Sequence, residues 1–172
     1  MDKLKNYDIS FSGLKTGKHE FKFEIDGEFF ELFDTEQEFT NPNIVANILL
    51  DKHTTFLEFT ISITGTIELV CDITNEDFNH PINNEIKVLV KFGEEYDDSE
   101  EDVITIPSSD HAFNTAQLIY ENVMLSVPMK KISPNVSDED IKAVEQFGIV
   151  EEDKEEINDP RWDALKKLKD KN

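Results

Sequence analysis

The sequence predicts an α+β fold: an antiparallel, strongly twisted sheet or partly open barrel of about five to seven strands, with three or four helices mainly in the C-terminal half. Three observations carry this. Between residues 7 and 92 apolar residues alternate with polar ones, the period of a half-buried strand. After residue 114 the apolar spacing changes to that of a helix. The 172 residues include 38% hydrophobic residues and thirteen Phe, enough for a core despite a formal net charge of −21.

Tyr7 to Phe11 and His19 to Ile25 read as strands joined around Gly13 and Gly17, so a hairpin is expected; Phe21, Phe23 and Ile25 alternate there against Lys22 and Glu24. Glu28 to Asp34 follows the break at Gly27 and reads as a short helix, with Phe29, Phe30 and Phe33 on one face, although its composition also permits a strand. Ile44 to Leu50 and Leu57 to Ile63 are the next strands. A turn at Thr64-Gly65-Thr66 is expected to lead to Ile67, Leu69, Cys71 and Ile73 on one face, and Asn83-Asn84 to lead to Ile86, Val88, Val90 and Phe92.

Glu94 to Asp102 reads as a solvated acidic loop in which self-repulsion disfavours order, followed by a short strand over Val103 to Ile106. Asn114 fits an N-cap with Gln117 three residues on, opening a helix that Pro128 stops. Ser137 starts another short helix running to Gly148. The expected organisation is one α+β domain over 1–150, an acidic linker over 151–158, and an amphipathic helix over 159–172. In that last segment Asp159 caps, Pro160 takes the first helical position, and Trp162, Leu165 and Leu168 share a face. It holds the sole arginine and sole tryptophan, Arg161-Trp162, and its five cations against three aspartates oppose the charge of the body.

The charge argues against a broad grip on nucleic acid or anionic membrane, both of which need clustered Lys and Arg; basic partners fit better. One cysteine excludes an internal disulfide framework. Residues 1–6 are charged with no apolar stretch behind them, and the longest apolar run, Ile44 to Leu50, is far short of the roughly 20 residues that span a bilayer. A soluble cytoplasmic protein without membrane contact is expected.

Catalytic chemistry has no visible candidate. Ser108-Ser109-Asp110-His111 has the residue types of a hydrolase triad, but adjacent side chains diverge and cannot form a nucleophile–base–orienter chain. Asp98 to Asp102 lacks the glycine and bidentate glutamate of a calcium loop. The four histidines are scattered, and six glycines form no phosphate loop. Cys71 falls in phase with apolar neighbours, the setting of an inert buried thiol. No enzyme activity, cofactor or small-molecule substrate is expected.

Four segments in order, Ile67 to Thr74, Val88 to Gly93, Ile119-Tyr120-Glu121 with Leu125 to Pro128, and Asp159-Pro160-Arg161-Trp162, resemble the YceD family, the large ribosomal RNA subunit accumulation proteins. Many relatives carry Cys-x-x-Cys in the strand region and a second cysteine cluster after the Leu-x-x-Pro segment, a pattern suggesting zinc. Here Thr74 stands where the partner of Cys71 would be and Met129 to Asn135 holds no cysteine, so Cys71 and Thr74 read as a vestigial motif without metal. The resemblance implies a non-enzymatic role in 23S rRNA accumulation and 50S assembly in a bacterial cytoplasm. The acidic surface, including Glu94 to Asp102 and Glu151 to Asp159, points to a basic ribosomal or assembly protein, or a pre-50S particle, as partner, with any rRNA contact indirect. Arg161, Trp162, Lys166, Lys167, Tyr120 and Glu121 are the candidate partner-binding residues. The alternative is a generic acidic interaction module that mimics nucleic acid or inhibits a nucleic-acid-binding protein.

Overall fold

Three long strands form the centre of the protein: β3 (Thr40–Lys52), β4 (Phe56–Val70) and β5 (Asp77–Gly93), paired antiparallel along their lengths. The structure, a computed structural model, describes residues 3–148. Among these residues β2 (Gly17–Ile25) extends the sheet on one side of β3, and β7 (Val103–Pro107) and β6 (Asp97–Glu100) on the other side of β5. The order β2-β3-β4-β5-β7-β6 leaves two edges, so the sheet is open rather than closed into a barrel. A second sheet pairs β1 (Asp8–Ser10), which follows a 3-10 helix over Lys3–Tyr7, with β8 (Ala112–Asn114). The helices are α1 (Gly27–Phe30), α2 (Ala116–Ser126) and α3 (Asp138–Gly148). The α+β class holds, with a six-stranded, mostly antiparallel sheet and, among the described residues, two of three α-helices in the C-terminal half.

Alternation decides which face is buried. Ile44, Ala46, Ile48 and Leu50 of β3 and Leu57, Phe59, Ile61 and Ile63 of β4 are all at most 1% exposed, while Asn47, Thr60 and Ser62 between them face outward. Leu118, Ile119 and Val123 of α2 cover this inner face. Each large side chain so buried contributes roughly 1.5–3 kcal/mol. Asp26 caps α1 by accepting from the backbone N–H of Glu28 at 3.0 Å, and this seats Phe29 and Phe30 in an edge-to-face aromatic cluster with Tyr7, Phe33 and Phe39.

Several expectations are corrected. Tyr7 to Phe11 and His19 to Ile25 do not form a hairpin: β1 pairs with β8 and β2 with β3. Phe11 and Leu14 are instead tied to β3 by the Lys52 ammonium, which donates to both backbone carbonyls at 2.7 Å. Thr64-Gly65-Thr66 is not a turn, nor are Asn83-Asn84, because β4 and β5 run through them unbroken. These residues lie opposite one another, Thr64 facing Asn83 and Ile63 facing Asn84, and on the other side Gly65 faces Ile44. There β3 carries an irregularity between Thr40 and Asn43, with Asn41 at φ 45° and the Glu68 carboxylate accepting from Thr40 and Asn41. The turn-like residues therefore mark a line across three strands where one backbone presses on the next, and Gly65 supplies the room. The actual β4–β5 connection is residues 71–76, with Asn75 at φ 57°.

The acidic run is also more ordered than expected. Asp97 to Glu100 forms the edge strand β6, which turns at Asp102 (φ 60°) into β7. β7 pairs parallel with β5, the one parallel pairing in this sheet, and the Leu89 N–H donates to the Asp102 carbonyl at 2.8 Å. For α2 the adjacent Thr115 is the capping residue; the Asn114 side chain still accepts from Ala116 N at 3.1 Å, but Gln117 pairs with Glu121 rather than reaching back. The Thr115 hydroxyl donates to the Tyr7 carbonyl and joins the helix start to the N-terminal segment.

The chain divides into two compact units after Ser133. In the second, Ser137 opens α3, its hydroxyl accepting from Asp140 N–H at 3.3 Å. The linker expected over 151–158 and the helix over 159–172 lie outside the described residues.

Candidate functional site

A groove of about 630 Å³ opens between α2, the β6–β7 edge and the small β1–β8 sheet. Ile86 and Val88 of β5, Ile104 and Ile106 of β7, Phe113 and Leu118 supply apolar surface along it. Asp8, Asp98, Glu100, Asp102, Asp110 and Glu121 bring six carboxylates to the same groove, and among the described residues no Lys, Arg or His lines it. Tyr96, Asp98, Glu100 and Asp102 all line it: Asp98 and Glu100 as alternate residues of β6, flanked by Tyr96 just before the strand and Asp102 in the turn after it.

The two walls feel each other. Burial raises the Tyr96 hydroxyl above its ordinary pKa, and the negative charges of Asp98 and of Glu121 on α2 push it further up. Tyr96 donates to Asp98 Oδ2 at 3.3 Å, and Glu121 accepts from Gln117 at 2.7 Å. Outside the groove, Asp97 is held below the usual carboxylate range by the Ser99 hydroxyl and N–H, a local turn that stiffens β6.

A second constellation lies at Cys71, just beyond the end of β4. Its thiol is 1% exposed and is met by the segment after α2: Ser133 N–H donates to Sγ at 3.4 Å, Asp72 N–H donates to the Lys131 carbonyl at 2.7 Å, and Lys131 N–H donates to Asp72 Oδ2 at 2.8 Å. The Lys131 ammonium pairs with Glu38 at 2.6 Å. Burial would raise the thiol, but hydrogen bonds from Ser133 N–H, the Thr74 hydroxyl and the Thr74 and Ile73 N–H groups outweigh it and lower the pKa from 9.0 to about 7. The fold thus brings Cys71, Thr74 and the residues after Pro128 together. With one sulfur surrounded by hydrogen-bond donors they do not fit a tetrahedral zinc site, and among the described residues no group of three or more His, Cys, Asp or Glu is placed to hold a metal.

Because the folded pKa lies below the ordinary value, the thiolate is favoured by the fold. Its contribution is complete above about pH 9 and is lost as pH falls through about 7. The stability difference between the wild type and Cys71→Ala is expected to grow in favour of the wild type from about pH 7 to 9, read from denaturant midpoints at each pH. A difference that stays flat across that window would remove the hydrogen-bonded thiolate.

Of the residues singled out from sequence, Glu121 faces the groove. Tyr120, its neighbour, turns the other way: it stacks on Phe33 with ring centroids 4.3 Å apart and bonds Thr35 Oγ1 at 2.7 Å, which docks α2 against the segment that follows α1. Arg161, Trp162, Lys166 and Lys167 lie outside the described residues. The sequence marks Asp98, Glu100 and Asp102 as part of one acidic surface run and Asp110 as part of a loop, and gives no sign that they share a groove with Asp8 of β1 and Glu121 of α2; the period-two spacing of Asp98, Glu100 and Asp102 is a local signal of it. Ser108-Ser109-Asp110-His111 is the turn before β8, with the Ser108 hydroxyl donating to Gly93 O and the His111 carbonyl accepting from Phe11 and Ser12.

Fold and site together describe an acidic α+β protein built on an open six-stranded sheet with a second, two-stranded one beside the groove. The chain belongs to the family described as Large ribosomal RNA subunit accumulation protein YceD, which matches residues 59–169, from within β4 onward. That description ties it to accumulation of the large-subunit ribosomal RNA. No curated protein and no solved structure matches the chain. No helix among the described residues is long and apolar enough to cross a membrane.

Proposed function

We propose that the protein supports large-subunit rRNA accumulation and 50S assembly without catalysis, by binding basic ribosomal or assembly proteins in the cytoplasm. The observation that carries this reading is the net charge of −21, concentrated in part in a groove that six carboxylates line. Such a surface repels phosphate and gains no counterion release on RNA, whereas it attracts basic proteins at long range and raises their association rate. Binding them before they reach RNA would keep their cationic surfaces from non-specific contacts. Within this reading, Arg161 and Trp162 with Lys166 and Lys167 form a second contact region of opposite charge on the same chain.

The test is a deletion strain profiled on sucrose gradients with both rRNAs quantified, combined with affinity capture by the wild-type chain. The expected result is a deficit of 23S relative to 16S rRNA, and capture of ribosomal proteins or pre-50S particles at low salt that weakens as salt rises. An unchanged rRNA ratio together with no ribosomal protein captured at low salt would overturn it.

A further inference from the structure

We propose that the groove between α2 and the β6–β7 edge docks a segment of a partner protein in which Lys or Arg residues are interspersed with aliphatic ones. This rests on the reading that the chain binds basic proteins, and it names the surface and the recognised chemistry. Two features of the groove select this occupant. Its apolar surface, Ile86, Ile104 and Ile106 with the 74%-exposed Leu125 at the rim, favours aliphatic side chains and the methylene stems of long cations. Its six carboxylates, with no lining cation among the described residues, complement ammonium and guanidinium heads; Asp98 and Glu100 reach in from β6 and Glu121 from α2, so cations along one segment meet charge on both sides.

The volume of about 630 Å³ accommodates several side chains, not a whole domain, which restricts the contact to a short stretch of the partner. RNA is excluded by the same carboxylates that attract the peptide. Glu20 and Glu85, by contrast, lie on the outward face of the sheet beside Lys22, so they provide a control for charge alone.

The test uses the full-length chain and three synthetic 12-residue probes: alternating Lys/Arg and Leu, the same peptide with Gln for every cation, and oligolysine. A 12-nucleotide RNA is the fourth probe. The alternating peptide is expected to bind at least tenfold more tightly than the Gln peptide or oligolysine, and the RNA not at all. Glu100→Lys with Glu121→Lys is expected to weaken the alternating peptide at least tenfold, while Glu20→Lys with Glu85→Lys changes it less than twofold, both variants keeping the wild-type melting temperature. Equal binding of oligolysine, equal loss in the control variant, or binding of the RNA would overturn the groove assignment. Because Glu100 and Glu121 are exposed, a variant that fails to fold is replaced by Glu100→Gln with Glu121→Gln, expected to weaken binding at least threefold. Capture of ribosomal proteins separates the two readings: if the Glu100/Glu121 variant captures them as well as the wild type, the groove fails and the proposed function stands; if neither captures them, the proposed function fails.

Discussion

Gly65→Ala is expected to destabilise the protein by about 3–5 kcal/mol, the sum of overpacking and backbone strain at one site. A Cβ at this position would overlap the Asn43 carbonyl oxygen and lie 2.7 Å from Ile44 Cα and 3.0 Å from Asn43 C. All three atoms are backbone of the neighbouring strand, so no rotamer change relieves them. The φ of +158° adds a conformation that L side chains rarely adopt. Relief requires β3 to move away from β4, which would disturb the register on either side of the irregularity at Thr40–Asn43. Gly13→Ala is the matched control: nothing lies within 4 Å of its Cβ position, and the effect is expected to stay within about 1 kcal/mol of zero. Denaturant unfolding of both variants makes the measurement, and equal effects would show that Gly65 is not under a steric constraint.

Asn122→Ala is expected to cost about 2–4 kcal/mol, and to lower the melting temperature by roughly 4–16 °C for a protein of this length. Asn122 is fully buried on the sheet-facing side of α2, donates to the Ile61 carbonyl of β4 at 3.0 Å and accepts from Asn84 of β5 at 2.7 Å. It is the polar bridge between the helix and two central strands, and among the described residues no buried side-chain nitrogen or oxygen lacks a partner. Truncation removes that satisfaction and leaves a cavity, while the Asn84 amide loses its acceptor. The two asparagines act as a unit, so Asn84→Ala with Asn122→Ala is expected to cost less than the sum of the single changes, by about 1–2 kcal/mol. Strict additivity would show that the pair is not coupled.

Both predictions concern residues whose sequence signal points the wrong way. Gly65 and Asn83-Asn84 carry the composition of turns, and a local reading breaks the chain there. In the fold the polar pair belongs to a strand, with Asn84 turned inward because α2 presents Asn122 to it. A partner 38 residues away supplies the reason, and no local pattern contains it. The acidic run shows a related failure: charge repulsion suggested a loop without order, but the segment forms a strand that lies at an edge, where like charges remain solvated.

The sequence by itself determined the α+β class, the strand segments flanking Phe21, Ile48, Ile61 and Val90, the helix over Ala116 to Ser126, and the place of Cys71 in a buried position. It also carried, in ordered motifs, the family to which the chain belongs. These are local or compositional properties, set by side-chain period, capping and turn residues. Only the tertiary structure decided that two strands run unbroken through turn-like residues, that β7 joins β5 in parallel, that Cys71 meets Ser133 across 62 residues, and that carboxylates from four separate segments share one apolar groove. Such arrangements depend on which distant segments pack together, a choice made by burial of the shared core and satisfaction of its polar groups rather than by any short stretch of chain.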